Sequence, residues 1–181
     1  MTDRPLIFLD VDGPLIPFRA RPGTPPGPPP PDPSGHPLIH RLDPADGPRL
    51  QALGGELIWA TTWMDTANEL IAPRLGLPRL PVVAFPDDNR TSGNGPHWKT
   101  LPIIERAGGR PFVWLDDELT DTDRDWVADY HPGPALLHRV DAHLGLTASD
   151  YRQVTAWLRL SAQPSVQPSA ELTENDRTHH E

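Results

Sequence analysis

Two aspartates one residue apart, Asp10 and Asp12, follow the apolar run "LIFL" and lead into Gly13. In an extended chain residues i and i+2 face the same side, so both carboxylates can address one small volume. Like charges that close disfavour joint ionisation, and a cation, a shared proton or water must relieve them. A hard divalent ion such as Mg²⁺, held through oxygen, is the chemical solution; a solvated Asp-Gly turn is the plain one. Three further signals bear on the choice. Of the sixteen basic residues fifteen are arginine, and Lys99 is the one lysine; it marks either a place that wants a compact ammonium instead of a planar fork, or codon bias. Thr61 and Thr62 stand in "IWATTW", and Asp116 and Asp117 in "FVWLDDE". Each has an ordinary alternative: Thr61 can finish a strand or cap a helix, and Asp116 with Asp117 can start one.

The elements that must position these residues read as an alternation. Apolar runs at 6–9, 56–60, 80–85, 112–115 and 135–138 have the length of buried strands, and helical patterns are predicted at about 45–53, 65–75, 98–107, 120–129 and 148–160. Tyr151, Val154, Trp157 and Leu158 share one face of the last helix, and "TASD" ahead of them supplies capping groups. Such alternation predicts an α/β fold: a central, mostly parallel five-stranded sheet in a three-layer sandwich. In open sheets of this kind sites gather beyond the carboxyl ends of the strands. Asp10 and Asp12 follow the first run, Thr61 and Thr62 the second, Asp116 and Asp117 the fourth, and Lys99 opens the helix before that fourth run.

Composition narrows the classes. The chain has 181 residues, suiting one domain, here 1–160. It has no cysteine, which removes disulfides, thiol nucleophiles and thiolate zinc sites and fits a cytoplasmic protein. The first residues show no leader pattern and no run reaches the length of a membrane span, so no membrane partner is expected. A formal charge of −9 argues against strong nonspecific nucleic-acid binding while leaving room for a local basic patch. Between Pro22 and Pro37 nine of sixteen residues are proline, an extended insert at about 20–40 that reads as a loop or lid. The tail 161–181 is polar and reads as disordered. No phosphate-loop pattern and no H-E-x-x-H pair occurs.

Taken together, "FLDVDGPL", "LIWATT", Lys99 and "VWLDDE" resemble, in order and spacing, the four motifs of the haloacid dehalogenase superfamily of phosphohydrolases and phosphotransferases. The resemblance covers about residues 5–140. It implies a Rossmann-like sheet with the first strand central and the strand carrying Asp116 beside it. It also implies a Mg²⁺-dependent phosphatase in which Asp10 is the nucleophile and Asp12 the acid and base, while Thr61 hydrogen-bonds the phosphoryl group. Gly13, Thr62 and Lys99 would join in holding substrate, with Lys99 neutralising charge. Asp10, Asp116, Asp117 and the Asp12 backbone carbonyl would hold the metal. A receiver domain would place its lysine after the last acidic motif, whereas Lys99 precedes Asp116.

The gaps between motifs are short for a large cap domain, so an open site is expected. That suits a bulky phosphorylated substrate, a phosphoprotein or a nucleic-acid end. "TTW" and "WLDDE" also resemble the small domains of this superfamily associated with RNA repair. There Trp63 and Trp98 could stack on a base, or serve as core, and Arg90 could meet a phosphate. The polar segment 87–95 reads as a substrate loop or a surface loop. The rival reading is a noncatalytic phosphate-binding or protein-interaction module, recruiting partners through the proline segment.

Overall fold

Residues 6–9 are fully buried, and the computed structural model, which describes residues 4–21, 32–85 and 95–161, shows why. Strands β1 (Leu6–Leu9), β2 (Glu56–Trp59), β3 (Phe112–Asp116) and β4 (Ala135–Arg139) form one parallel sheet in the order β2-β1-β3-β4. Leu6 lies opposite Glu56 and Phe112, and Leu9 opposite Trp59 and Leu115. β1 is thus covered on both edges and both faces. Each of its side chains contributes roughly 1.5–3 kcal/mol by leaving water, and a carboxylate can enter only where the strand stops.

The period of two sorts the strands between two cores. Ile7, Leu9, Leu57, Trp59, Val113 and Leu115 pack with Leu50 of α1 (Asp46–Ala52), Leu75 of α2 (Ala72–Leu75) and Val154 and Leu158 of α5 (Ala148–Ser161). Leu6, Phe8, Ile58, Phe112 and Trp114 pack with Ile103 of α3 (Thr100–Ala107) and Val127 of α4 (Asp121–Tyr130). A π-helical turn, Ala67–Ile71, runs into α2. Helices on both faces of a parallel sheet are the three-layer α/β arrangement expected. Among the described residues, no helix is long and apolar enough to cross a membrane.

One expectation is corrected. Among the described residues the sheet has four strands, and the run at 80–85 adds only a single parallel bridge, Val82 to Trp59. Trp59 donates to the Pro81 carbonyl and Val83 donates to the Trp59 carbonyl. Pro81 has no N–H, so a ladder cannot continue through it. Residues 22–31 of the proline-rich insert, segment 86–94 with Arg90, and the tail 162–181 lie outside the described residues.

Two helix caps and one reversal of strand order shape the strand ends. α4 starts from Thr120, whose side chain accepts from the Asp123 amide while Asp123 accepts from the Thr120 amide. Asp116 and Asp117 are therefore not needed to start that helix. Ahead of α5 the amide and hydroxyl of Thr147 both donate to Asp150, at 2.7 and 2.5 Å. The strand order reverses at β1: the chain leaves β1 for one neighbour, β2, and then crosses to the other, β3. The chain leaves β1 for a helix on one face of the sheet and β3 for a helix on the other, the arrangement beyond whose strand ends open α/β sheets place their sites.

Candidate active site

Asp10 is the first residue beyond β1, and its amide donates to the Leu115 carbonyl at 3.0 Å, which holds it beside β3. Asp116 is the last residue of β3 and is fully buried. Between them sits the Lys99 ammonium, 2.9 Å from Asp10 Oδ2 and 2.8 Å from Asp116 Oδ2. Neighbours fix each carboxylate. Asp10 Oδ1 accepts from the Val11 amide at 2.8 Å, and Asp116 accepts from Trp114 Nε1 at 3.1 Å and from the Glu118 amide at 2.9 Å. Asp117, half-buried, lies against this pair, so that Asp10, Asp116 and Asp117 each offer an oxygen within 4.8 Å of the others.

Gly13 explains how Asp117 comes so close. Its φ of +85° belongs to the left-handed region, and a Cβ there would fall 2.6 Å from Asp117 Cγ. Any side chain at position 13 would displace the third carboxylate.

Among the described residues, three carboxylates and one ammonium leave two negative charges without a counter-ion. Burial pushes the Asp10 carboxyl up to about 7; the Lys99 charge opposes the rise and the Asp116 charge adds to it. Asp117 is raised to about 6, by burial first and then by Asp116. Burial works against the Lys99 charge, but Asp10 and Asp116 outweigh it and hold its pKa above the ordinary value. The ammonium thus stays charged while Asp10 and Asp117 hold protons more readily than in water. A divalent cation would reverse that. The donor set fits one: all oxygen, anionic, closely grouped, and in deficit by the charge such an ion carries.

The remaining expected residues divide. Thr61 is buried just past β2, beside β1 through the bond from the Ala60 amide to the Leu9 carbonyl at 2.9 Å. Thr62 is exposed on the turn that comes next. The Asp12 carboxylate is not part of the oxygen cluster; Trp63 Nε1 donates to its Oδ2 at 2.9 Å. Trp98 packs edge-on against Phe85 at 4.6 Å, with the Lys99 ammonium 5.5 Å from its ring.

Asp123 is a residue that no spacing in the sequence singles out. Fully buried, it accepts from the His97 amide at 2.6 Å and from Thr100 Oγ1 at 2.7 Å, the two residues that bracket Lys99, while its other oxygen receives Thr120. Burial alone would raise its pKa, but the bonds from Thr120, Thr100 and His97 hold it below the usual value. The turn that aims Lys99 is thereby fastened to the cap of α4. The capping pattern "TDTD" at 120–123 was the only legible trace of it.

No protein-family model, curated protein or solved structure matches this chain.

Proposed function

We propose that the chain is a Mg²⁺-dependent phosphatase of the haloacid dehalogenase type, hydrolysing phosphomonoesters through an aspartyl-phosphate on Asp10. The observation that carries this reading is the single ammonium of Lys99 held between Asp10 and Asp116 where the strand order reverses. A structural ion pair needs one carboxylate; here a buried lysine serves two, with a third alongside.

In the first step an Asp10 oxygen bonds to phosphorus as the ester P–O bond breaks, and the departing oxygen takes a proton from Asp12. In the second, Asp12 as carboxylate takes a proton from water, whose oxygen bonds to phosphorus as the P–O bond to Asp10 breaks. Phosphate leaves and both aspartates return to their starting forms. Lys99 keeps positive charge beside the attacking carboxylate, and the Thr61 hydroxyl would donate to the phosphoryl group. Asp10, Asp116, Asp117 and the Asp12 carbonyl would hold Mg²⁺, which when bound draws charge from the phosphoryl oxygens.

A groove of about 580 Å³, lined by Asp117, Arg139, Val140 and His143 among others, opens beside the carboxylates. It supports a substrate larger than a bare phosphate, including a phosphorylated macromolecular end.

The test is hydrolysis of an aryl phosphate by wild type and Asp10→Asn, each with Mg²⁺ and with chelator. Turnover is expected only for wild type with Mg²⁺, the variant losing roughly a thousandfold or more. Equal rates in all four arms would remove the mechanism. Metal binding with no turnover of any phosphomonoester would favour a noncatalytic module.

A further inference from the structure

We infer that Trp63 is a positioning residue for the proton transfer to the leaving group, acting through Asp12; this rests on the phosphatase reading above. Trp63 Nε1 donates to Asp12 Oδ2 at 2.9 Å across fifty-one residues of chain, from the turn after β2 to the turn after β1. An indole N–H donates and cannot accept. The oxygen it holds is therefore kept as an acceptor, which favours Oδ1 as the place for a proton on Asp12. The two carboxylate oxygens, equivalent in solution, become distinct, and one of them is favoured to hand a proton to a departing oxygen.

The surroundings hold the indole in that pose. Trp63 is half-buried and packs against the core cluster on the face of the sheet covered by α1, α2 and α5. The His36 ring lies on it, with centroids 4.7 Å apart and planes tilted by 53°. The next residue, Met64, has a φ of +48°, a conformation that costs a non-glycine residue energy and persists only where its surroundings enforce it. The turn is closed by the Met64 amide donating to the Thr61 carbonyl at 3.1 Å. A core tryptophan needs to satisfy its N–H, and any buried carbonyl would serve. This one instead reaches the carboxylate two residues after Asp10.

Fixing the proton on one oxygen matters in proportion to how much the leaving group needs that proton. An alkoxide needs it; a nitrophenolate departs almost without it. The experiment is therefore kcat/KM, which reports the first step, for a series of phosphomonoesters from p-nitrophenyl to alkyl, in wild type and Trp63→Phe. The phenyl ring keeps the packing and deletes the donor. Trp63→Phe should cost the alkyl esters about tenfold more than the nitrophenyl ester, with KM changed by less than about twofold. In an Asp12→Asn background the same substitution should have no further effect, because its route runs through Asp12.

A loss equal across the series, or none, overturns the inference while leaving the phosphatase reading in place. Absence of wild-type turnover overturns both. If Trp63→Phe melts early or does not fold, benzothienyl-alanine incorporated at position 63 keeps the indole shape with sulfur in place of N–H, and the same series then decides.

Discussion

Two buried carboxylate clusters in this molecule look alike in burial and differ in balance. Asp46, at the start of α1, is fully buried. It receives Arg21 Nη2 at 2.9 Å, Arg49 Nη1 at 3.3 Å and the Tyr151 hydroxyl at 3.0 Å. Asp43 shares Arg49, also at 3.3 Å, so two acids meet two cations and a hydroxyl, and the cluster ties α1 to α5 and to the chain after β1. At the strand ends that balance is lost, with three acids around Lys99. Burial and ion pairing alone therefore do not mark a site. The mark is an uncompensated charge that the fold maintains at the cost of its own stability.

The contrast can be broken most forcefully at the cations. Lys99→Met should cost about 3 kcal/mol or more in chelator, because it strands two buried carboxylates, and Mg²⁺ should restore a large part of it. Arg21→Met should lose stability that Mg²⁺ does not restore. Urea unfolding of both variants, with and without the ion, makes the comparison, and equal responses to Mg²⁺ would erase the distinction.

Next come the acids. Asp46→Asn sets an amide N–H against the Arg21 guanidinium and should cost about 2 kcal/mol. Asp10→Asn relieves repulsion while leaving Lys99 its bond to Asp116, so in chelator it should shift stability by less than about 1 kcal/mol. Thermal melts of the two variants decide this.

A finer cut is made at Gly13. Saturating wild type with Mg²⁺ to about a hundred times its dissociation constant should add about 2.7 kcal/mol. Gly13→Ala, by displacing Asp117, should weaken the ion about tenfold. Titrating the unfolding midpoint with Mg²⁺ reads that shift, and an unchanged midpoint curve would mean that Asp117 is no ligand.

A small, pH-dependent effect belongs to a closed pair of the Asp46 kind. Asp150 accepts from Thr147 and lies 2.8 Å from His138 Nε2. Burial would raise its pKa, but its bonds from His138 and Thr147 outweigh that and hold it at about 2. A depressed carboxylate stabilises above its unfolded pKa of about 4 and loses that contribution as pH falls through about 2. Solvent screening keeps the amount to about 1 kcal/mol. Asp150→Asn should therefore cost that much at pH 5 and almost nothing near pH 2, by urea unfolding at each pH.

The sequence made the strand-end carboxylates legible because alternation and apolar runs are local patterns. Asp10 and Asp116 fell at strand ends once the parallel sheet was inferred, their strands were neighbours only by what the resemblance implied, and Lys99 stood out by composition alone. Partners across the fold left no such trace. Trp63 read as core or as a base-stacking ring, since nothing in "TTW" says that its N–H meets Asp12. Asp46 carries no pattern of its own, because Arg21 and Tyr151, which help to bury it, arrive from distant segments. The run at 80–85 carried a strand's apolarity, yet Pro81 removes the donor a ladder needs, and hydrophobicity alone does not report that.

The fastening of Lys99 by Asp123 has a consequence for how the molecule comes together. The sheet alone would set Asp10 beside Asp116 with no positive charge between them. The ammonium reaches them only when the turn before α3 is bound to the cap of α4. Pairing of β1 with β3 thus gathers carboxylates whose charge the docking of α3 on α4 offsets, and the sheet is coupled through that charge to one of its helix layers.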